Sequence, residues 1–96
     1  MTWIPIIPPQ DAQGELRDAY QAVRALYPPE YGVEIEAVRR PDGGTDSIVA
    51  AHSLIPAALL HSMSAYRALL SAELPLSRAQ HEMIATVVSA LNGCFY

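Results

Sequence analysis

Apolar residues recur three and four residues apart in several segments of this 96-residue chain, and prolines or glycines separate these segments. Such spacing places the apolar side chains on one face of a helix. It predicts helices over residues 11–27, with Asp11 as the cap, and over residues 46–52, 56–72 and 77–92. The helical faces are expected to carry Leu16, Ala19, Tyr20, Val23, Leu26 and Tyr27 in the first helix, and Leu59, Leu60, Met63, Tyr66, Leu69 and Leu70 in the third. The sequence therefore indicates an all-α fold.

Local signals define the ends of these helices. Pro28 ends the first helix, and Pro56 is suited to the first turn of the third. Ser77 and Gln80 have the spacing of a capping box, which predicts the start of the last helix. That helix carries Met83, Ile84, Val87, Val88 and Leu91, and Gly93 suits the left-handed residue that closes a helix.

The remaining segments are predicted to be irregular. Prolines 5, 8 and 9 make residues 1–10 an extended, apolar arm. Residues 30–46 are irregular, with a turn at 41–44. Within them, the alternation of Val33, Ile35 and Ala37 with glutamates could form a short extended piece.

Composition restricts the function classes. Apolar residues make up 51% of the chain and charged residues 17%, with a net charge of −4 and no lysine. This predicts one small domain over residues 1–96, and its apolar excess indicates that some apolar residues face a partner subunit or a segment that is missing here. We expect a homo-oligomer. The absence of a basic stripe argues against nucleic-acid binding. We expect neither a signal peptide nor a membrane span. A single cysteine fits the reducing cytoplasm.

Glu82 and Cys94 are the residues most able to carry chemistry. They are twelve residues apart, which on one straight helix is about 18 Å. A contact between them would need the chain to fold back after Gly93, or a symmetry mate. His52, His61 and His81 have spacings that do not form helix-face pairs, so no metal site is expected. His81 is predicted to lie on the surface, and Met63 and Met83 to fill the core.

Residues 56–96 resemble a known family. The stretches Pro56-Ala57-Ala58-Leu59-Leu60, His81-Glu82-Met83-Ile84-Ala85 and Val87-Val88-Ser89-Ala90-Leu91-Asn92-Gly93-Cys94 are similar to the alkylhydroperoxidase D-like, or carboxymuconolactone decarboxylase-like, superfamily, in its peroxidase-related branch. The resemblance implies the N-terminal part of that family's helical bundle. It also implies a cofactor-free peroxidase that reduces organic hydroperoxides with a dithiol reductant.

In that family a glutamate lies twelve residues before the first cysteine of a Cys-x-x-Cys motif. The resemblance therefore implies that Glu82 relays protons and that Cys94 is the resolving thiol, which closes a disulfide with the attacking second cysteine. The position of that second cysteine would follow Tyr96, and the sequence ends there. Truncation, proteolysis and a selenocysteine read as a stop are three open explanations, and the 96-residue chain is expected to be inactive. The alternatives are a non-catalytic helical oligomerisation module and a lyase like carboxymuconolactone decarboxylase.

Overall fold

A computed structural model describes residues 3–29, 36, 41 and 47–94 of the protein. Within these residues the chain is helical and contains no strand, so the all-α prediction is confirmed for them. A 3-10 turn precedes four helices: Pro9–Asp11 is followed by α1 (Gly14–Leu26), α2 (Ser47–Ala50), α3 (Pro56–Leu69) and α4 (Arg78–Leu91). The extended piece predicted at Val33, Ile35 and Ala37 lies outside the described residues, as does most of the turn predicted at 41–44.

The start of α1 differs from the prediction. Asp11 belongs to the 3-10 turn, where its N–H donates to the carbonyl of Pro8 at 3.0 Å. The N-cap of α1 is Gln13, whose side chain makes no capping hydrogen bond. The assignment of Asp11 as the cap is therefore wrong. Two consecutive prolines favour the tight turn, and the chain enters α1 through Gly14, whose φ of 52° suits glycine.

The core lies between α1 and α3. Leu16, Ala19, Tyr20 and Val23 of α1 are buried, as the apolar spacing predicts. They pack with Leu59 of α3, which is 0% exposed, and with Val49 of α2. Burying each Leu or Val of such a cluster stabilises the fold by about 1.5–3 kcal/mol. The packing of α1 against α3 is thus the main tertiary contact of the described residues.

The predicted apolar face of α3 is only partly buried. Leu60 and Met63 pack against the core, in agreement with the prediction. Tyr66 and Leu69 are exposed, and the helix ends at Leu69 instead of residue 72. The core contacts of α3 come from its first two turns, so apolar spacing overstated the buried length of this helix.

The segment before α1 is attached to the core by two hydrogen bonds. The Ile7 N–H donates to the Ser53 hydroxyl oxygen at 2.8 Å, and the Tyr20 hydroxyl donates to the Ile7 carbonyl at 2.7 Å. Ser53 is almost fully buried. Burial raises the pKa of the Tyr20 hydroxyl above its ordinary 10.0, and a hydrogen bond with the Ser53 side chain opposes this shift. The backbone N–H and carbonyl of Ile7 are therefore both hydrogen-bonded where this segment packs against the core.

None of the helices in the described ranges is both long enough and apolar enough to cross a membrane.

Candidate functional site

Both sequence-predicted site residues lie on or next to α4, and its two ends are well defined. At its start, the Gln80 N–H donates to the Ser77 hydroxyl at 3.3 Å, and the Ser77 N–H donates to the Gln80 side-chain oxygen at 2.8 Å. This reciprocal pair is the capping box that the sequence predicts. Two otherwise unsatisfied N–H groups at the start of the helix thereby gain acceptors.

Cys94 follows the C-terminal closure of α4. Gly93 has a φ of 64°, as expected for the residue that ends the helix. The Gly93 N–H donates to the Ala90 carbonyl at 3.2 Å, and the Cys94 N–H donates to the Ser89 carbonyl at 2.9 Å. These two bonds form a Schellman motif, which fixes the backbone of Cys94. The Cys94 thiol is free and exposed, and is therefore accessible to an oxidant in solution.

Glu82 lies on the second turn of α4 and pairs with Arg78. The Arg78 Nε donates to the Glu82 Oε1 at 2.7 Å, and the Glu82 side chain is 51% exposed. The Thr86 hydroxyl donates to the Glu82 backbone carbonyl at 2.7 Å. An exposed ion pair four residues apart on a helix stabilises it by about 0.3–0.5 kcal/mol. Glu82 is therefore a half-exposed carboxylate that is paired with Arg78.

The structure does not bring Glu82 and Cys94 together within the chain. Helix α4 is continuous from Arg78 to Leu91, so the two Cα atoms are separated by about 18 Å along its axis. Direct proton transfer needs a heavy-atom distance of about 3 Å, or one bridging water. Within one chain, Glu82 and Cys94 therefore lie towards opposite ends of α4, too far apart for direct proton transfer.

His81 is the polar residue of α4 that the sequence analysis misplaced. It is predicted on the surface, but it is buried, with only 8% of its surface exposed. Its Nδ1 has no hydrogen-bond partner among the described residues. The prediction is wrong because the spacing of apolar residues does not determine which side of α4 faces the core. Met83, predicted in the core, is 63% exposed, so that assignment is also wrong.

The described residues contain no cluster of metal-binding side chains. No group of three or more His, Cys, Asp and Glu residues in these ranges is arranged to hold a metal ion. The His52 Nδ1 lies 2.7 Å from the Ile48 carbonyl, so this ring contacts the backbone four residues earlier in the chain. His61 is exposed on α3.

An apolar cleft lies between α1, α3 and the start of α4. Its cavity volume is only about 20 Å³, and it is lined by residues that include Leu26, Tyr27, Met63, Tyr66, Arg67 and Arg78. Arg67 donates to the Leu70 carbonyl at 3.3 Å. Arg78 is sixteen residues before Cys94, so the cleft is about 24 Å from the thiol along α4. It is therefore not a substrate pocket for Cys94 within one chain.

Comparison of the chain with known protein families, with curated protein sequences and with solved structures finds no match.

Proposed function

We propose that this chain carries the resolving thiol of a cofactor-free peroxidase of the alkylhydroperoxidase D-like type. The single observation that carries the proposal is the exposed thiol of Cys94, whose backbone the Schellman motif holds at the end of α4. The helical fold and the resemblance over residues 56–96 are consistent with it. The substrate class is organic hydroperoxides, and a dithiol reductant completes the cycle. A reduced single cysteine suits a cytoplasmic location.

The proposed reaction uses two thiols in sequence. An attacking thiolate breaks the O–O bond of the hydroperoxide, and the products are a sulfenic acid and the alcohol after proton uptake. The Cys94 thiol then attacks the sulfenic sulfur, so that a disulfide forms and water leaves. The reductant returns both sulfurs to thiols by disulfide exchange. The 96 residues contain one cysteine, so the attacking thiol has to be supplied in addition to them.

Glu82 is proposed as the proton relay of this reaction. Its half-exposed carboxylate exchanges protons with water, and its ion pair with Arg78 holds it on one side of α4. Because about 18 Å separate it from Cys94 along the helix, a relay needs intervening water or a further segment. Replacement of Glu82 by glutamine is therefore expected to slow peroxide reduction without preventing disulfide formation.

The test compares the 96-residue chain with the same chain extended by one cysteine after Tyr96. One equivalent of an organic hydroperoxide is added, and intact mass is followed over time. The extended chain is expected to lose two hydrogens as an intramolecular disulfide forms. In the extended chain with Cys94→Ser, oxidation stops at a sulfenic acid that dimedone traps. The unextended chain forms no intramolecular disulfide.

A six-residue peptide with the sequence Asn-Gly-Cys-Phe-Tyr-Cys is the matched control for this experiment. The folded extended chain should react about 10-fold faster than the peptide if the protein activates the thiol. Equal rates for chain and peptide would contradict the proposal. So would catalytic turnover by the unextended chain with a dithiol reductant, because that chain lacks a second thiol.

The alternative is a non-catalytic helical oligomerisation module, and one observation favours it. The apolar residues of α4 are exposed in the described structure, while Glu82 and Cys94 remain apart. In this alternative Cys94 is incidental, and neither the extension nor Cys94→Ser changes any property other than thiol reactivity. The lyase alternative has no observation of its own and stays a prediction.

A further inference from the structure

The apolar side of α4 points away from the rest of the protein. Its exposed residues form one stripe along the helix, which we call the α4 apolar stripe: Met83, Ile84, Val87, Val88 and Leu91. Each is between 50% and 82% exposed. The internal contacts of the helix lie beside this stripe, where His81 is buried, Ser89 is half-buried and Arg78 lines the cleft. At 100° per residue Val88 is next to His81, whereas Val87 and Leu91 lie farther round the helix, so the centre of the stripe is exposed.

The size of the α4 apolar stripe sets it apart from scattered surface residues. The exposed fractions of its five side chains correspond to an apolar area on the order of 500 Å², near the upper end for a monomer. Two copies in contact would remove on the order of 1,000 Å² from water, which is the lower bound for a specific interface. The stripe is therefore large enough to form an interface by itself.

The charges of α4 are compatible with a second copy as the occupant. At 100° per residue, Arg78 and Glu82 lie roughly 150° or more from the centre of the stripe, so no charged pair is brought into the contact. Ile84, Val87 and Leu91 have the three- and four-residue spacing of a two-helix seam. An isologous contact needs a surface that is complementary to itself, and an uncharged apolar stripe meets that requirement.

We propose that two copies of this chain associate through the α4 apolar stripe, with the two α4 helices antiparallel about a two-fold axis near Val87. Val87 is the middle residue of the stripe along the helix, so an axis near it lets the stripe of one copy lie along the stripe of the other. The antiparallel arrangement places each positive helix N-terminus beside a negative C-terminus. This inference goes beyond the proposed peroxidase and does not depend on it.

Sedimentation of the full 96-residue chain over a concentration series tests the proposal, because it measures the mass of the species in solution. The wild-type chain is expected to form dimers. Val87→Glu, which buries two carboxylates in the contact, is expected to raise the dimer dissociation constant at least about 100-fold. Ile48→Glu makes the same kind of change at an exposed residue of α2 and should leave the constant unchanged. Circular dichroism checks that both variants keep their helices.

Oxidative cross-linking tests the orientation. The double variant Val87→Cys, Cys94→Ser is expected to form a disulfide-linked dimer, because residue 87 meets its counterpart at the axis. The wild-type chain is not expected to do so, since the two Cys94 residues lie about 20 Å apart in the antiparallel pair. A wild-type chain that stays monomeric, an assembly larger than a dimer, or a folded Val87→Glu variant that still forms dimers would overturn the proposal. Efficient linkage through Cys94 without linkage at position 87 would overturn the antiparallel orientation.

Discussion

At the scale of single residues, burial decides what a polar side chain does. Tyr20 and Ser53 hold the Ile7 backbone through hydrogen bonds of 2.7 and 2.8 Å, and both lie in the protein interior. Removing one partner of a buried hydrogen bond leaves the other unsatisfied, which costs about 1–3 kcal/mol. His81 differs from these two residues, because its buried Nδ1 has no hydrogen-bond partner among the described residues.

Replacement of Tyr20 by phenylalanine tests the hydroxyl. The variant is expected to lose about 1 kcal/mol of unfolding free energy near pH 7, because the bond to the Ile7 carbonyl is lost. The pKa of Tyr20 is raised in the folded state, so the neutral hydroxyl is favoured there. The contribution of this shift to the wild-type free energy of unfolding should therefore be fully present below about pH 10 and be lost as the pH rises through the higher folded pKa.

The difference between wild type and Tyr20→Phe is the quantity to measure, by urea unfolding from pH 7 to pH 11. It should shrink above pH 10, since only the wild type has this titration. Tyr66→Phe, at an exposed position of α3, is the matched control and should alter neither the stability nor its pH dependence. A difference that widens at high pH would refute the assigned direction of the shift.

At the scale of helices, the ends of a helix could be predicted where they depend on hydrogen bonds between residues close in sequence. Ser77 and Gln80 form the capping box, and Gly93 ends α4, because both effects depend on residues within one helical turn. Asp11 failed as a cap because Pro8 and Pro9 impose a 3-10 turn on the residues that follow them. The spacing of apolar residues located α1 and α3, although it did not identify how far along α3 the burial extends.

Ser77→Ala tests the capping box. The variant is expected to lose about 1 kcal/mol of unfolding free energy, because the Gln80 N–H loses its acceptor. Ser62→Ala, at an exposed position inside α3, is the control and should be neutral or slightly stabilising, since alanine favours the helix interior. Chemical unfolding followed by circular dichroism gives both values. Equal effects of the two substitutions would show that the cap contributes nothing.

At the scale of the whole molecule, α1 and α3 form most of the core, whereas the apolar side of α4 is exposed to solvent. Helices α1 and α3 enclose Leu59 completely, whereas the α4 apolar stripe faces solvent. Stability should therefore respond strongly to substitutions between α1 and α3. The proposed association should respond to substitutions on α4, because its apolar stripe is exposed.

Leu59→Ala tests where the core lies. Leu59 is 0% exposed, so truncation leaves a cavity and should cost about 2–5 kcal/mol. Leu69→Ala removes the same atoms from the same helix at a residue that is 70% exposed, and should cost less than about 1 kcal/mol. Thermal and urea unfolding of the two variants measure the contrast. A similar loss for both would contradict the assignment of the core to the first turns of α3.

The sequence by itself determined the helical character of the described residues, the buried face of α1 and the two ends of α4. These features depend on interactions between residues a few positions apart, which spacing reveals directly. It also identified Glu82 and Cys94 as candidates, and the helix length already implied their separation. Only the tertiary structure decided that His81 is buried and Met83 exposed. Periodicity identifies an apolar face of a helix, but the packing of the whole chain determines whether that face is covered by the same molecule or is left for another.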